Sequence, residues 1–507
     1  MPQDSLKKRY ASKLISNSVK VAVGFVTVGM VPRALGPEAY GNFGFLTNFF
    51  ISTVKFLTFG IPTAYYTKLS KRQNEKKLIG FYIYFGILLM VIVFITLLGI
   101  VKFGLQEIIW PDQKGIFIFA SALLAVLYFI TESFRNTNDA FGYTFRYEKA
   151  FILQSIITGG LIVALYFTNV LTLSSYFLML YFLSLFVIIS GWRVLRIHKI
   201  YLSKQLNLAR NDLARYIKEF YHFSHPLFFQ SLVVYVVVIT DRWLLQTFYG
   251  SAEQGFYTIA LKIGSIIFLI TSSITPLMLR EMSLSYKDRK KEELKRLFKR
   301  FIPIFYFIIA YFSVFISLNA ETVNYIIGGS DYKNASIVIS ILVLYPIHQT
   351  YGQLAGSVFL ATEQTKVLRN IGIITGLVGF VISLLFLMPI KFYGLGLGAI
   401  GLAIKMVLIQ FISVNIYLWI IARFLNLSFH KFFGHQLIVI AVLFIFSKFS
   451  QYLSGFISTN IIFTFLISGF IYTLLVFSLI IIYPRVIVLT RKAIRNYIKI
   501  TLENLMA

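Results

Sequence analysis

Long apolar runs dominate this chain of 507 residues. A helix needs about 20 predominantly apolar residues to cross the hydrocarbon core of a bilayer, and the sequence contains fourteen runs of about that length. Only 13% of the residues are charged, which is about half of the share in soluble domains. We therefore expect an all-α integral membrane protein with about 14 transmembrane helices. The runs lie at 10–31, 42–67, 79–101, 115–134, 150–169, 172–192, 221–248, 254–279, 301–319, 336–361, 367–389, 395–421, 435–456 and 460–483.

The basic residues indicate the orientation of these helices. With the N-terminus inside, and with the adjoining helix ends counted, the inner connections and termini hold 37 of the 48 lysines and arginines, and the outer side holds 6. This bias agrees with the positive-inside rule and predicts a multi-pass protein with both termini in the cytoplasm. The formal charge of +28 is then mostly an orientation signal, and nucleic acid is not expected as a partner. The first run is interpreted as a retained helix, because no small-residue cleavage site follows it.

Two long inner connections, 193–220 and 280–300, have the pattern of basic amphipathic helices at the membrane interface. The first lies between the sixth and seventh apolar runs and is the predicted linker between two lobes. We place the N-terminal lobe with helices 1 to 6 at 1–204 and the C-terminal lobe with helices 7 to 12 at 205–430. Helices 13 and 14 and a basic cytoplasmic tail follow at 431–507.

An internal repeat with an offset of 214 residues supports the two lobes. Each copy has two glycines around a turn, followed by a helix with a proline. The corresponding pairs are Gly36 and Gly250, Gly41 and Gly255, and Pro62 and Pro276. Six helices separate the copies, so both have the same orientation, which predicts pseudo-symmetric six-helix lobes. Pro62, Pro226 and Pro276 are candidate hinges, because proline removes a backbone donor and bends a helix.

Several charged residues lie inside the apolar runs, where an ionised side chain is costly and usually faces an interior cavity. The basic members are Lys20, Lys55, Lys405, Arg242 and Lys262. The comparable acids are Asp241 and Glu132, which are the candidates for coupling to a proton or a sodium ion. The excess of positive charge favours an anionic substrate, and phosphate suits lysine and arginine especially. No other cofactor and no metal site is expected.

Each charge also has a structural interpretation. Arg242 can pair locally while Asp241 faces another helix, and Lys262 can extend towards the outer interface. Lys20, Lys55 and Lys405 lie too centrally for that, so a structural pairing or a misplaced span is their alternative.

Four segments resemble the oligosaccharide flippases (O-antigen, Wzx-type) of the multidrug/oligosaccharidyl-lipid/polysaccharide exporter superfamily. The segment Val31 to Phe45 is similar to the signature after the first helix of that family, and Thr240 to Lys262 is similar to its seventh-to-eighth helix segment. The segments Asp331 to Ala335 and Tyr393 to Ala399 also match in character and position. The resemblance extends over nearly the whole chain.

The resemblance implies a V-shaped pair of lobes that alternate access to a central cationic cavity. The implied substrate is an undecaprenyl-diphosphate-linked oligosaccharide, moved from the cytoplasmic to the outer leaflet of the bacterial inner membrane. Membrane lipids, a polysaccharide polymerase and the chain-length machinery are the implied partners. From their depth, we expect Lys20, Lys55 and Lys405 to meet the diphosphate or acidic sugars, and Arg242 and Lys262 to lie nearer the outer gate.

Three alternatives stay open at the sequence level. A lipid II flippase would share a cationic cavity and fourteen helices, whereas a multidrug or metabolite exporter would need carboxylates in the N-terminal lobe. A membrane glycosyltransferase or polymerase would need a soluble domain or a long outer loop, and the longest outer connections, 102–114 and 320–335, are short. The sequence therefore favours a transporter over an enzyme.

Overall fold

The computed structural model describes residues 6–272, 275–287 and 291–484. These residues form α-helices joined by short turns, and the described ranges contain no β-strand. The helices are α1 (Leu6–Leu57), α2 (Ile61–Lys71), α3 (Lys77–Lys102), α4 (Gln106–Ile109), α5 (Gly115–Ala140), α6 (Thr144–Phe167), α7 (Leu173–Ile197), α8 (Arg210–Ser272), α9 (Thr275–Lys287), α10 (Lys291–Leu318), α11 (Ala320–Ile327), α12 (Ala335–Leu342), α13 (Tyr345–Ala361), α14 (Thr365–Leu387), α15 (Gly398–Phe424), α16 (Phe429–Ile457) and α17 (Ile461–Ile482).

The described residues contain twelve helical segments that are long and apolar enough to cross a membrane, which confirms a multi-pass α-helical protein. The predicted number was fourteen. The difference arises in the two longest segments, Ser12–Leu57 with 46 residues and Phe228–Leu269 with 42 residues. Because about 20 residues suffice for one crossing, each of them is long enough for two.

Each of these long helices is interrupted by one glycine, and the two glycines are those of the predicted repeat. Gly36 in α1 has φ 74° and ψ 169°, and Gly250 in α8 has φ 77° and ψ −172°. Only glycine adopts such angles without steric cost, because it lacks a Cβ atom. The two copies of the repeat therefore share the same local backbone, 214 residues apart.

The two copies also contact each other reciprocally. A Cβ atom on Gly41 would overlap the backbone carbonyl of Ser251, and a Cβ atom on Gly255 would overlap the backbone carbonyl of Pro37. Since Pro37 and Gly41 correspond to Ser251 and Gly255 in the repeat, each copy presents the same groups to the other. Small residues allow two helix backbones to approach this closely inside a membrane. Ser251 also donates a hydrogen bond to Asn42, at 2.5 Å.

The chain divides into two compact units, Met1–Thr258 with Phe380–Ala399, and Ile259–Gly379 with Ile400–Ala507. In the first unit, Trp110 is buried against the rings of Phe49 and Phe50, at 5.5 and 5.4 Å between ring centroids. In the second unit, Tyr472 stacks on Tyr311 at 5.0 Å.

The predicted boundaries of the two lobes, 1–204 and 205–430, and of the C-terminal segment, 431–507, were obtained by counting helices along the chain. They stay a prediction. The basic tail from residue 485 lies outside the described residues.

Candidate functional site

A cavity of about 700 Å³ lies in the first unit, where the end of α1 and the start of α2 face α5 and α8. Ser52 and Lys55 come from α1, Glu132 comes from α5, and Gln230 and Ser231 come from α8. These side chains supply an ammonium, a carboxylate, an amide and two hydroxyls. We call this space the polar cavity.

Lys55 is the cation of the polar cavity. Its side chain is exposed to the cavity, and it forms no ion pair with any residue in the part of the chain that the structure describes. Glu132 is the facing acid; its side chain is 57% exposed, and its nearest cationic partner is Arg135 at 4.0 Å. Both groups are therefore accessible to a ligand in the cavity.

Behind Glu132 lies a more deeply buried group of charges. Arg135 donates to Glu148 at 2.8 Å, and the side chain of Glu148 is only 1% exposed. Lys20 lies 4.6 Å from the ring centroid of Phe151, and the guanidinium of Arg135 lies at the same distance from that ring. Two cations thus share one aromatic ring, an attractive geometry for each of them.

Asp139 belongs to the same region and pairs with Lys13 at 2.7 Å. The sequence interpretation that only Asp241 and Glu132 lie among the buried cations was wrong, because Glu148 and Asp139 are also buried. The reason is local: α5 extends to Ala140 and α6 begins at Thr144, so both acids lie on helices rather than in a loop. The excess of positive charge in this region is correspondingly smaller than predicted.

Arg242 is buried in α8 and is bound by its own helix. It donates to Gln254 at 2.8 Å and to Thr258 at 3.2 Å, and its guanidinium lies 4.4 Å from the ring centroid of Tyr257. The neighbouring Asp241 accepts a hydrogen bond from Ser383 of α14. These contacts are those expected of a structural role, and the roles in substrate binding and coupling stay predictions.

Lys262 and Lys405 lie in the second unit. Lys262 is exposed on α8, whereas Lys405 is buried on α15, with 3% of its surface exposed. Its aliphatic chain lies next to Gly379, where a Cβ atom would be 3.3 Å from Lys405 Cε. The first unit therefore holds Lys20, Lys55 and Arg242, and the roles of all five cations stay predictions.

The three candidate hinge prolines occupy different backbone settings. Pro62 follows the break between α1 and α2, and it lines the polar cavity. Pro226 lies within α8 and Pro276 lies within α9; their side chains are outside the described part of the structure. A proline in a first turn loses no helical hydrogen bond, so Pro62 begins α2 rather than bending it. The hinge roles of the three prolines stay predictions.

The start of α8 is attached to α2 by ion pairs next to the polar cavity. Glu219 accepts from Lys68 at 2.6 Å and also pairs with Arg72. Burial by itself raises the pKa of Glu219, but the hydrogen bonds from these two cations outweigh it, and the pKa lies below its ordinary 4.5. A second pair, Lys77 with Asp212 at 2.7 Å, lowers the pKa of Asp212 through that hydrogen bond.

Comparisons with known proteins give a consistent picture. Residues 6–280 match the family described as "Polysaccharide biosynthesis protein". The chain is similar to the capsular polysaccharide biosynthesis protein CapF of Staphylococcus aureus, with 26% identity over 261 residues. That match covers 51% of this chain and 62% of CapF, so the chain spans less than two thirds of this curated relative.

Two solved structures have a similar fold. The lipid II flippase MurJ in an inward closed conformation has a TM-score of 0.64 and 16% identity, and the match covers 93% of this chain and 98% of MurJ. An inward-facing multidrug resistance MATE transporter of the MOP superfamily has a TM-score of 0.62 and 17% identity, with 80% and 96% covered. At these identities the likeness establishes the fold, and the predicted fold class is confirmed.

Proposed function

The chain belongs to the polysaccharide biosynthesis protein family, and on that premise we propose that it is a flippase for an undecaprenyl-diphosphate-linked oligosaccharide. The proposed path runs from the cytoplasmic to the outer leaflet of a bacterial cytoplasmic membrane, with both termini of the chain in the cytoplasm. The fold of MOP superfamily transporters supports alternating access as the way in which the substrate crosses.

The observation that carries the proposal is the polar cavity with Lys55. An ammonium without an ion pair in the described residues is available to a diphosphate, and lysine binds phosphate as a point charge. Glu132, Gln230 and Ser231 line the same space and supply acceptors and donors for sugar hydroxyls. The diphosphate and the sugars are the parts of the substrate that cannot cross hydrocarbon unaided.

One observation favours a second function, the export of a cationic small molecule. Glu132 lies in the cavity, and Glu148 and Asp139 lie behind it, so the first unit contains the carboxylates that such an exporter needs. In that case Glu132 would bind the cation or exchange it for a proton. On the flippase proposal, a proton or a sodium ion remains the coupling ion, with Glu132 and Asp241 as its candidate sites.

Native mass spectrometry of the purified full chain in detergent separates the two functions. We expect selective retention of undecaprenyl diphosphate, weakened about tenfold in Lys55→Ala, because a hydrogen bond to a charged group contributes about 1.5 to 3 kcal/mol. Lys102→Ala is the matched control, since Lys102 is exposed at the end of α3 and away from the cavity. Lys20→Ala and Lys405→Ala test the remaining central lysines.

A hydrophobic cationic dye such as ethidium provides the opposing test. Retention of the dye that depends on Glu132, with no preference for the diphosphate lipid, would refute the flippase and establish the exporter. We also propose that membrane lipids, a polysaccharide polymerase and chain-length proteins are partners of this chain.

A further inference from the structure

A second hollow of about 950 Å³ lies in the first unit, and its lining is almost entirely apolar. Phe59 and Ile61 line it from the connection between α1 and α2, and α3 contributes four side chains between Phe81 and Leu88. The remaining side chains come from residues 208–229, and apart from His225 they are apolar or aromatic. We call this hollow the apolar groove.

The apolar groove and the polar cavity lie on two sides of the same backbone break. Phe59 and Ile61 line the groove, whereas Gly60 and Pro62, which alternate with them, line the cavity. The reason is the change of direction between α1 and α2, where Gly60 has φ 76°. Side chains on either side of that turn therefore face different hollows.

Consecutive residues of α8 also line the two different hollows. Phe228 and Phe229 line the groove, and the next two residues, Gln230 and Ser231, line the cavity. The ring of Phe228 lies 5.5 Å from that of Phe59 and 6.1 Å from that of Phe56, between ring centroids. The two hollows thus lie next to each other and border a shared aromatic wall.

We propose that the apolar groove holds the isoprenoid chain of the lipid-linked substrate while its diphosphate and sugars occupy the polar cavity. This inference rests on the proposed function. It adds a second subsite, on the protein itself, for the isoprenoid chain, which would otherwise stay in bulk lipid.

The isoprenoid chain of the substrate is favoured over phospholipid chains in the groove because it is covalently attached to a head group that binds in the polar cavity. Bulk lipid is as apolar as the groove, so transfer of a chain into the groove gains little from the hydrophobic effect. A head bound in the cavity, however, holds its own chain at a high effective concentration next to the groove. Leu88 and Ile217, which line the groove, are 57% and 55% exposed, so the groove is open at the surface of the protein.

Single cysteines test the proposal, because the chain contains none. Leu88→Cys and Ile217→Cys place a thiol in the groove, and Phe470→Cys on α17, at 65% exposure, is the matched control outside it. The rate of maleimide labelling is measured in detergent with undecaprenyl diphosphate, undecaprenol, inorganic diphosphate or phosphatidylglycerol. We expect undecaprenyl diphosphate to slow labelling of the two groove cysteines at least about fivefold and to leave the control unchanged.

The added compounds separate the possible results. Inorganic diphosphate carries no chain and is expected to protect none of the thiols. Equal protection by phosphatidylglycerol overturns the proposal, because the groove would then be a general lipid site.

The inference and the proposed function can also fail separately. Undecaprenyl diphosphate that binds in a Lys55-dependent manner without protecting the groove cysteines refutes the groove and leaves the flippase intact. Protection of the groove cysteines by undecaprenyl diphosphate without any dependence on Lys55 supports the groove and refutes the proposed role of Lys55. Equal protection by undecaprenol overturns the argument from the tethered head. Absence of both effects refutes both.

Discussion

Replacement of Glu148 with Gln removes the charge that faces Arg135 inside the first unit while keeping the shape of the side chain. The two groups are 2.8 Å apart, and Glu148 is 1% exposed. Loss of one partner from a buried ion pair costs about 3 to 5 kcal/mol, because the other charge stays buried without compensation. A quarter of the Arg135 side chain is exposed (25%), so we expect the lower end, about 3 kcal/mol.

Thermal unfolding of the purified protein, followed by intrinsic fluorescence in one detergent, measures this effect. For a chain of this size, a loss of about 3 kcal/mol corresponds to a decrease in Tm of roughly 3 to 5 °C. Glu132→Gln is a matched control, because Glu132 faces the same Arg135 at 4.0 Å with 57% of its side chain exposed, and exposed pairs contribute at most about 1 kcal/mol.

The double variant Arg135→Leu/Glu148→Leu distinguishes an uncompensated charge from simple loss of packing. Replacing both partners by apolar residues is often neutral, so we expect its Tm to lie above that of Glu148→Gln. Equal decreases for Glu148→Gln and Glu132→Gln, or a double variant less stable than the single one, would refute the argument.

Two further predictions concern stability. Gly41→Ala is expected to lower the yield of folded protein in size-exclusion chromatography, because its Cβ atom would overlap the carbonyl of Ser251, whereas Gly29→Ala, with no atom within 4 Å, should be neutral; equal yields would contradict the close approach. Because the folded pKa of Glu219 lies below its ordinary 4.5, its contribution is present above pH 4.5 and is lost as the pH falls through the folded pKa. The Tm of Glu219→Gln should therefore lie below that of the wild type at pH 7 and approach it below pH 4, and a difference that grows on acidification would contradict the assignment.

The sequence predicted the fold class and the repeat because both depend on local patterns. Apolar runs of helix length determine the spans. The repeat is visible because Gly36 and Gly250 are followed by further glycines at the same distance, Gly41 and Gly255. The structure has twelve membrane-length segments where the sequence predicted fourteen. The difference arises because a single glycine, Gly36 or Gly250, interrupts each long helix, and the residues before and after it are helical.

The site was harder to predict because it depends on which helix faces meet. Lys55 was identified from its depth in an apolar run, but depth does not show that it shares a cavity with Glu132 and Gln230. Glu148 was missed because hydropathy placed it in a connection, whereas α6 begins at Thr144. Had the start of α6 been placed at Thr144, Glu148 would have been recognised as a carboxylate in the first turns of a membrane helix.

The reciprocal contact between Gly41 and Ser251 and between Gly255 and Pro37 has the form of an isologous dimer interface within one polypeptide. It is made by a glycine on one side and a backbone carbonyl on the other, and neither group depends on the side chains around it. Pro37 and Ser251 could therefore diverge from each other without loss of the contact. The steric constraint on the close approach therefore falls on the two glycines, because any side chain there would overlap the opposite backbone.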